Sequence, residues 1–255
     1  MILRRVIEHV KAENWTAIVL DFVIVVTGVF IGMQVTNWNE ARAAKARGRE
    51  FSERLLNEVR LEAHSYKNQI SYYREVRANA DKAIAAMEGE RPLTDEQLLV
   101  SAYRATQYLY IIRHRAAFDE LVSTGAIGLV ADQNLRETAI PLYTTTVTDD
   151  IREEAMKSEY RTAFRRAVPA AVQQELLQKC GDRGSDRARW TLDYPCTLDL
   201  PPAETARAAN ALRNEPLALP ALRQRFADLE TAVFNLETGK GETRAGLRHF
   251  AGDAP

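Results

Sequence analysis

The chain has 255 residues, of which 46% are hydrophobic and 27% charged, so it can form one sizeable core or two small ones and is not disordered in composition. Its 34 basic and 35 acidic residues give a formal net charge of −1, which disfavours a nucleic-acid-binding protein with a basic face. It has only 12 Gly and 9 Pro, and none lies between Phe51 and Met87, which favours long helices over a turn-rich sheet.

The first predicted element is a membrane-spanning helix. From Ala17 to Val35 the sequence is AIVLDFVIVVTGVFIGMQV, and about 20 such residues cross the hydrocarbon core of a bilayer. Trp15 and Trp38 flank this run at a helical separation of about 34 Å, which places both indoles near the interfaces. We therefore predict a short cytoplasmic N-terminus at residues 1–14, a transmembrane helix at 15–38 and a helical extracytoplasmic domain at 39–255.

Two alternatives to a membrane span remain open, a buried helix of a soluble core and a cleaved signal peptide. Ala41-Arg42-Ala43 fits the small-x-small pattern of a signal-peptidase site. The apolar run is longer than the roughly 7 to 15 residues usual in a signal peptide, and Asn37-Trp38-Asn39-Glu40 resembles an interfacial anchor. Both features favour a retained helix.

Basic residues do not settle the orientation of this helix. Arg4, Arg5 and Lys11 precede it, and four others follow it, so the positive-inside rule gives a nearly balanced count. The four are Arg42, Lys45, Arg47 and Arg49. Of these, Arg42, Lys45 and Arg49 share a helix face, and they either contact lipid phosphates or form a solvated flank of the helix.

Two cysteines favour an extracytoplasmic domain. Cys180 and Cys196 bound the segment CGDRGSDRARWTLDYPC, whose Gly, Asp and Pro content predicts an exposed loop. A disulfide that closes a loop of about 15 residues stabilises a fold by about 3 kcal/mol, and such bonds persist outside the cytosol. Two unpaired thiols are the alternative. A zinc site is disfavoured because no CxxC motif or nearby His supplies further ligands.

A long amphipathic helix is predicted to continue from the span without a break. Apolar residues recur at a spacing of three or four positions, with one lapse at Glu62, and Gly89 and Pro92 end the pattern. The apolar positions are Phe51, Leu55, Val59, Tyr66, Ile70, Tyr73, Ala80, Ile84 and Met87.

Further helices follow, so the predicted fold class is all-α, a helical bundle. Thr94 and Gln97 form a capping-box pattern that opens a helix ending at about Tyr108 and antiparallel to the first. A short helix over 116–124 is predicted to stop at Gly125, and Asp132 to cap the next, which Pro141 should kink or divide. The remaining predictions are a helix from Asp149 to Lys179, a helix over 203–211, and a final stripe at Leu222, Phe226, Leu229, Val233 and Leu236.

Two sequence blocks resemble an uncharacterised bacterial family of membrane-anchored proteins, a domain of unknown function. The first block is Gln34-Val35-Thr36-Asn37-Trp38-Asn39-Glu40, directly after a hydrophobic span with one acidic residue. The second runs from Phe118 to Gly125 and continues with Leu129-Val130 and Asp132 to Leu135. The resemblance covers about a third of the chain and implies a membrane location and a helical fold; it implies no reaction.

No motif predicts catalysis, a cofactor or a metal, so we expect a protein that is not an enzyme. The histidines, His9, His64, His114 and His249, have no HExxH or paired spacing. Gly239-Lys240-Gly241 with Gly246 lacks the preceding strand and residue order of a phosphate-binding loop. No Ser, Cys and His combination forms a nucleophile signature, although a triad assembled by the fold would not be visible in the sequence.

Asp21 is the polar residue of most interest. An acidic residue at a helix centre in the membrane costs roughly 2.5 to 3.5 kcal/mol on insertion scales, and less near an interface. Water and headgroups reach it from the near interface, or a partner compensates it. At 100° per residue Gly28 and Gly32 each lie within about 20° of Asp21, and their small-xxx-small spacing permits close helix packing. We predict a helix-association face at Asp21, Gly28 and Gly32.

Three functions remain open. The preferred one is a membrane-anchored helical scaffold or interaction protein of the bacterial inner membrane, with a protein partner or self-association through the span. The second is an ion-coupled single-span component that uses Asp21, by analogy of layout with the small subunit of proton-driven bacterial motors. A hydrolase with a fold-assembled site is the third, with no residue to nominate.

Overall fold

A computed structural model of the protein describes residues 15–186, 189–238 and 249–250. The first helix, α1, runs from Trp15 to Met87 without a break, which confirms that the apolar run and the amphipathic stripe form one element. Its 73 residues correspond to about 110 Å at 1.5 Å per residue. Gly89, with φ of +78°, follows its end in the left-handed conformation that glycine adopts without steric cost. Arg4, Arg5, His9, Lys11 and the predicted features over 239–246 lie outside the described residues.

Shorter helices pack along the second half of α1, which confirms the all-α fold class. In chain order they are α2 (Asp95–Ala105), α3 (Ala116–Ser123), a 3₁₀ helix (Ala126–Leu129), α4 (Gln133–Thr144), α5 (Val147–Lys157), α6 (Glu159–Ala167), α7 (Ala170–Cys180), α8 (Pro202–Asn214) and α9 (Ala218–Thr238). The last of these runs antiparallel to α1, with ion pairs from Arg223 to Glu88 and from Arg77 to Glu230.

The predicted helix caps are confirmed. Thr94 and Gln97 form both hydrogen bonds of the capping box at the start of α2. Asp132 accepts a hydrogen bond from the amide of Leu135, and Gly125 has φ of +69° after α3. The end of α2 differs from the prediction: it stops at Ala105 rather than near Tyr108. The carbonyl groups of the next residues are taken by arginine side chains, so they need no helical partner.

The predicted helix from Asp149 to Lys179 is wrong, because this segment forms three helices. Ser158 has ψ of 130° and separates α5 from α6. A straight helix would place Tyr160 about 140° from Ala155, whereas the break lets both side chains enter the core. Val168 is likewise extended, with ψ of 130°, because Pro169 disfavours the helical conformation in the preceding residue.

Two further predictions need correction in part. Of the two effects predicted for Pro141, the division of the helix is wrong: α4 continues through Pro141, because the missing amide leaves unpaired only the carbonyl of Glu137, an exposed residue that water reaches. The segment between the cysteines is not simply a loop: β1 (Arg183–Asp186) and β2 (Arg189–Thr191) pair as a short antiparallel hairpin. This hairpin packs against α1 and does not change the fold class.

Among the described residues, two hydrophobic cores lie along α1. The near core, closer to Trp15, includes Leu55, Val59, Phe118 and Leu142. The far core is larger and surrounds Tyr72, Val76, Ala80 and Ala83 of α1, together with residues of α2 and α5 to α9. One helix therefore supplies part of both cores, and the predicted stripe of α1 is buried or half-buried along its length.

Candidate membrane and partner-binding surfaces

The first part of α1, residues 15–38, is apolar and uncovered. Its most apolar window has a mean hydropathy of 2.3, and none of that window is buried. A helix that is apolar all round is stable inside a protein core or in lipid, and not when it faces water. No described part of the chain covers it, which disfavours a buried core helix. A membrane span and a signal sequence both fit this helix.

A helical stalk connects this apolar part to the domain. From Trp38 to Gly48 the helix advances about 15 Å, and exposed Arg42, Lys45 and Arg47 lie along it. At Gly48 the helix meets the 3₁₀ helix so closely that a Cβ would lie 2.5 Å from the carbonyl oxygen of Leu129. The proposed cleavage motif at residues 41–43 is part of the same continuous helix.

The predicted association face has no neighbour among the described residues. A Cβ added to Gly28 or Gly32 would meet no heavy atom within 4 Å, so the backbone there is open to a close-packed second helix. The carbonyl of Gly32 accepts a hydrogen bond of 3.0 Å from the hydroxyl of Thr36. Asp21 is only partly exposed and lies in the same continuous helix.

The residues of the Gln34–Glu40 block, at the end of the apolar part, belong to α1, and their side chains are exposed. They include Gln34, Asn37, Trp38, Asn39 and Glu40. The guanidinium of Arg42 lies 5.7 Å from the centre of the Trp38 ring, a cation–π contact one helical turn further along. This arrangement places an amphipathic ring and a cation at the end of the apolar run, as interfacial anchors are placed in membrane helices.

Cys180 and Cys196 form a disulfide, with Cα atoms 5.5 Å apart, which confirms the predicted pairing. Cys180 is buried at the end of α7, and buried Arg104 fixes both ends of the intervening segment. Its side chain donates to the carbonyl oxygens of Cys180 and Tyr194, at 3.3 and 2.9 Å. The guanidinium also lies 4.7 Å from the centre of the Tyr194 ring.

Three glutamates of α1 bind backbone amides of other segments, and the sequence analysis did not find this role. Glu58 accepts from Ala117 and Phe118, at 2.7 and 3.2 Å, at the start of α3. Glu75 accepts from Leu192 at 2.7 Å, after the hairpin. Glu62 accepts from His114 at 2.8 Å. These carboxylates satisfy amides that lack secondary-structure partners, which is a structural role. The only feature of the sequence that could have indicated this role is the position of each glutamate beside or within the apolar stripe of α1.

A buried tyrosine and an aspartate form a further polar contact in the far core. The hydroxyl of Tyr72 donates to Oδ1 of Asp182 at 2.5 Å, which joins α1 to the segment after Cys180. Burial raises the pKa of Asp182, and the hydrogen bond from Tyr72 partly opposes that rise. Burial, together with the charge of Asp182, also raises the pKa of Tyr72 well above its usual value.

Metal ligands do not gather within residues 15–186, 189–238 and 249–250: no three His, Cys, Asp or Glu side chains there are placed to hold an ion. The described histidines, His64, His114 and His249, are exposed and lie in three different parts of the chain. A small cavity between Glu62 and Arg113 has a volume of about 30 Å³, which is room for about one water molecule.

No family model, curated protein or solved structure matches the chain. The resemblance of the Gln34–Glu40 block to a membrane-anchored family therefore stays a prediction.

Proposed function

We propose that the chain is a single-pass protein of the bacterial inner membrane whose helical domain acts as a scaffold that binds another protein. The observation that supports this most is the continuity of α1, whose apolar and uncovered first part extends directly into two packed cores. A helix of that composition is stable in lipid, and the same helix holds the domain. The proposal includes membership of the membrane-anchored family that the Gln34–Glu40 block resembles.

The unbroken helix determines how the domain is held. A flexible linker would let a domain move independently of its anchor, whereas the stalk between Trp38 and Gly48 is helical throughout. A change in the tilt or rotation of the span is therefore transmitted to both cores. An anchored scaffold of this kind presents its surfaces at a defined height and orientation above the bilayer.

The disulfide supports a periplasmic domain and a cytoplasmic N-terminus. Bonds of this kind persist in oxidising compartments and are rare in the cytosol. Protease added to intact spheroplasts should digest the domain. Protection of the domain until the membrane is broken would reverse this topology.

A second candidate, an ion-coupled component of a membrane complex, is favoured by one observation. Asp21 lies on the same helix face as Gly28 and Gly32, where a packed partner would surround it. Purification from membranes distinguishes the two functions: a multi-span, channel-like partner supports ion coupling, and a soluble partner supports the scaffold.

Membrane fractionation tests the anchor itself. Resistance to extraction by alkaline carbonate, together with an N-terminus that precedes Trp15 in the mature protein, is expected for a retained span. A soluble protein whose N-terminus follows Ala43 would identify residues 15–38 as a signal sequence and would overturn the anchor.

A further inference from the structure

An extended segment connects α2 to α3 and runs along α1. The amide of Leu109 donates to the hydroxyl of Tyr73 at 3.4 Å, and the amide of His114 donates to Glu62 at 2.8 Å. Tyr73 and Glu62 are about 16 Å apart along a helix with a rise of 1.5 Å per residue. The five-residue step from Leu109 to His114 covers about the same distance only when it is fully extended. The segment therefore runs antiparallel to α1 in a strand-like conformation.

The side chains of this segment alternate between the domain and solvent. Leu109 is buried and Ile111 is half-buried, whereas Tyr110 is 65% exposed and Ile112 is 77% exposed. Ile112 is thus more exposed than any large apolar side chain of residues 15–38. Aromatic and β-branched residues such as these favour strands, and the segment contains none of the Pro or Lys residues with which proteins protect exposed strand edges.

The backbone of the segment is unpaired between its two contacts with α1. The amides of Leu109 and His114 donate to Tyr73 and Glu62. Within the part of the chain that the structure describes, no group accepts a hydrogen bond from the amides of Tyr110 and Ile112, which lie between them. Unpaired backbone groups beside exposed apolar side chains form an edge that can accept another strand.

We propose that residues 108–113 form a docking edge that binds an extended, acidic segment of a different protein as an added β-strand. One step of this inference, the exclusion of a second copy of the chain, rests on the proposed membrane anchor. Main-chain hydrogen bonds would supply affinity, and the side chains of Tyr110 and Ile112 would contact alternate residues of the added strand.

Membrane anchoring makes a second copy a poor occupant of this edge. Two copies in one membrane are related by a two-fold axis along the membrane normal, and the segment runs along α1, approximately in that direction. The two segments would then be parallel, with identical backbone groups facing each other at the same height. A parallel ladder requires the two strands to be offset by one residue, which this symmetry forbids.

The charge around the segment favours an acidic partner. The guanidinium groups of Arg161 and Arg152 lie over the rings of Tyr108 and Tyr110, at 4.8 and 5.2 Å from the ring centres. Arg152 is paired with Asp149 at 3.2 Å, whereas among the residues described no carboxylate lies within ion-pair distance of Arg161 or its neighbour Arg165. Burial and the charge of Arg165 lower the pKa of Arg161. A carboxylate on the incoming strand would therefore be stabilised at the Tyr108 end of the edge.

Peptide binding to the full-length protein in lipid nanodiscs tests the docking edge. The probe is a fluorescein-labelled peptide of sequence Val-Glu-Val-Asp-Val-Thr, measured by fluorescence polarisation. Ile112→Pro removes an amide that has no acceptor among the described residues and should weaken binding at least about tenfold, whereas Ile112→Ala keeps the amide and should weaken it about threefold or less. The same peptide with Lys in place of Glu and Asp should bind about tenfold more weakly at low salt.

Each outcome of this experiment decides the proposal. Equal binding to wild type and to Ile112→Pro overturns the docking edge and leaves the membrane anchor untouched. If Ile112→Pro does not fold by circular dichroism, a backbone N-methylated peptide replaces it, and undiminished binding of that peptide to wild type overturns the edge. A wild-type dimer that Ile112→Pro abolishes and Ile112→Ala keeps would assign the edge to a second copy and overturn the choice of partner. Loss of the anchor in fractionation leaves the peptide measurement valid.

Discussion

The carboxylate of Glu62 accepts a hydrogen bond of 2.8 Å from the backbone amide of His114, which lies 52 positions later in the chain. The other carboxylate oxygen of Glu62 lies 3.5 Å from Nε of Arg113, and Glu62 is 5% exposed. Arg113 in turn donates to the carbonyl oxygens of Leu142 and Thr145. The lapse in the apolar stripe of α1 is thus a buried polar link between α1, the extended segment and the end of α4.

Removing this link should destabilise the domain. Glu62→Ala leaves the amide of His114 without an acceptor and the half-buried cation of Arg113 without its carboxylate partner, and we expect a loss of about 2 to 4 kcal/mol in the free energy of unfolding. Glu62→Gln keeps an acceptor and should lower the free energy of unfolding by less than Glu62→Ala does. Urea unfolding followed by circular dichroism in detergent measures both. The control is Glu53→Ala at an exposed position of α1, and equal midpoints for Glu62→Ala and this control would contradict the prediction.

Gly48 is required by the close approach of α1 to the 3₁₀ helix. Replacing glycine by alanine inside a helix normally stabilises it by about 0.5 to 1 kcal/mol. In Gly48→Ala the new Cβ would lie 2.5 Å from the carbonyl oxygen of Leu129, so the backbone must move and we expect a net loss of about 1 to 3 kcal/mol. Gly128→Ala is the matched control, because its Cβ would meet nothing within 4 Å. A stabilised Gly48→Ala protein would show that the two helices are not in contact.

The disulfide should persist in the protein isolated from membranes and should contribute to its stability. Alkylation without reductant is expected to modify neither Cys180 nor Cys196, because the two sulfurs are bonded. After reduction, both should be labelled, and the free energy of unfolding should fall by about 3 kcal/mol for a loop of about 15 residues. Mass spectrometry detects the labels. Two modified thiols before reduction would contradict the bond and weaken the argument for a periplasmic domain.

Helix ends were predicted from the sequence where the cause is local. Thr94 and Gln97 cap α2 with their own side chains, and Gly89 and Gly125 adopt the positive φ that favours glycine. The break at Ser158 was missed because it depends on the direction from which Tyr160 enters the far core, which no local pattern records.

The sequence predicted those candidate surfaces that depend on local helix geometry, and it did not predict those that depend on contacts between distant segments. The face of Asp21, Gly28 and Gly32 follows from helical geometry, which one sequence supplies. The roles of Glu58, Glu62 and Glu75 depend on amides that the fold brings to α1 from distant segments. The edge at Tyr110 and Ile112 likewise depends on which side of the extended segment the domain covers.

Alkaline pH should unfold the domain through its buried tyrosines. Burial and the charge of Asp182 raise the pKa of Tyr103 to about 12, and an unfolded tyrosine ionises near pH 10. Above pH 10 the unfolded chain therefore binds fewer protons than the folded one. The stability that protonated Tyr103 contributes to the folded state is thus fully present below pH 10 and is lost as the pH rises towards about 12. Urea midpoints between pH 8 and pH 11 should fall more steeply for wild type than for Tyr103→Phe. Parallel curves would contradict the pKa shift.

The open face of the proposed span predicts association with another helix. Gly28 and Gly32 lie on one stripe with Asp21, and no heavy atom lies within 4 Å of a Cβ at either glycine. A packed partner, either another copy or a different protein, can approach the backbone there and can hydrogen-bond or pair with the side chain of Asp21, which offsets the penalty for burying it. The stripe thus combines Asp21, the residue of the proposed span that is most costly to bury in lipid, with the two glycines that permit close packing.

Leucine at both glycines should prevent this approach, because its side chain fills the groove between the two backbones. We expect cross-linking in membranes to fall several-fold in the Gly28→Leu, Gly32→Leu double variant, and to be unchanged in a Val23→Leu control, because Val23 lies about 160° from Asp21 on the opposite face of α1. Asp21→Asn retains a hydrogen-bonding side chain and should keep the cross-link, while a deletion-rescue assay shows whether function needs a carboxylate. Rescue by Asp21→Asn favours the scaffold, and loss of rescue with the cross-link intact favours ion coupling. Unchanged cross-linking in the double-glycine variant would leave Asp21 as a residue that water reaches from the interface and would remove the association face.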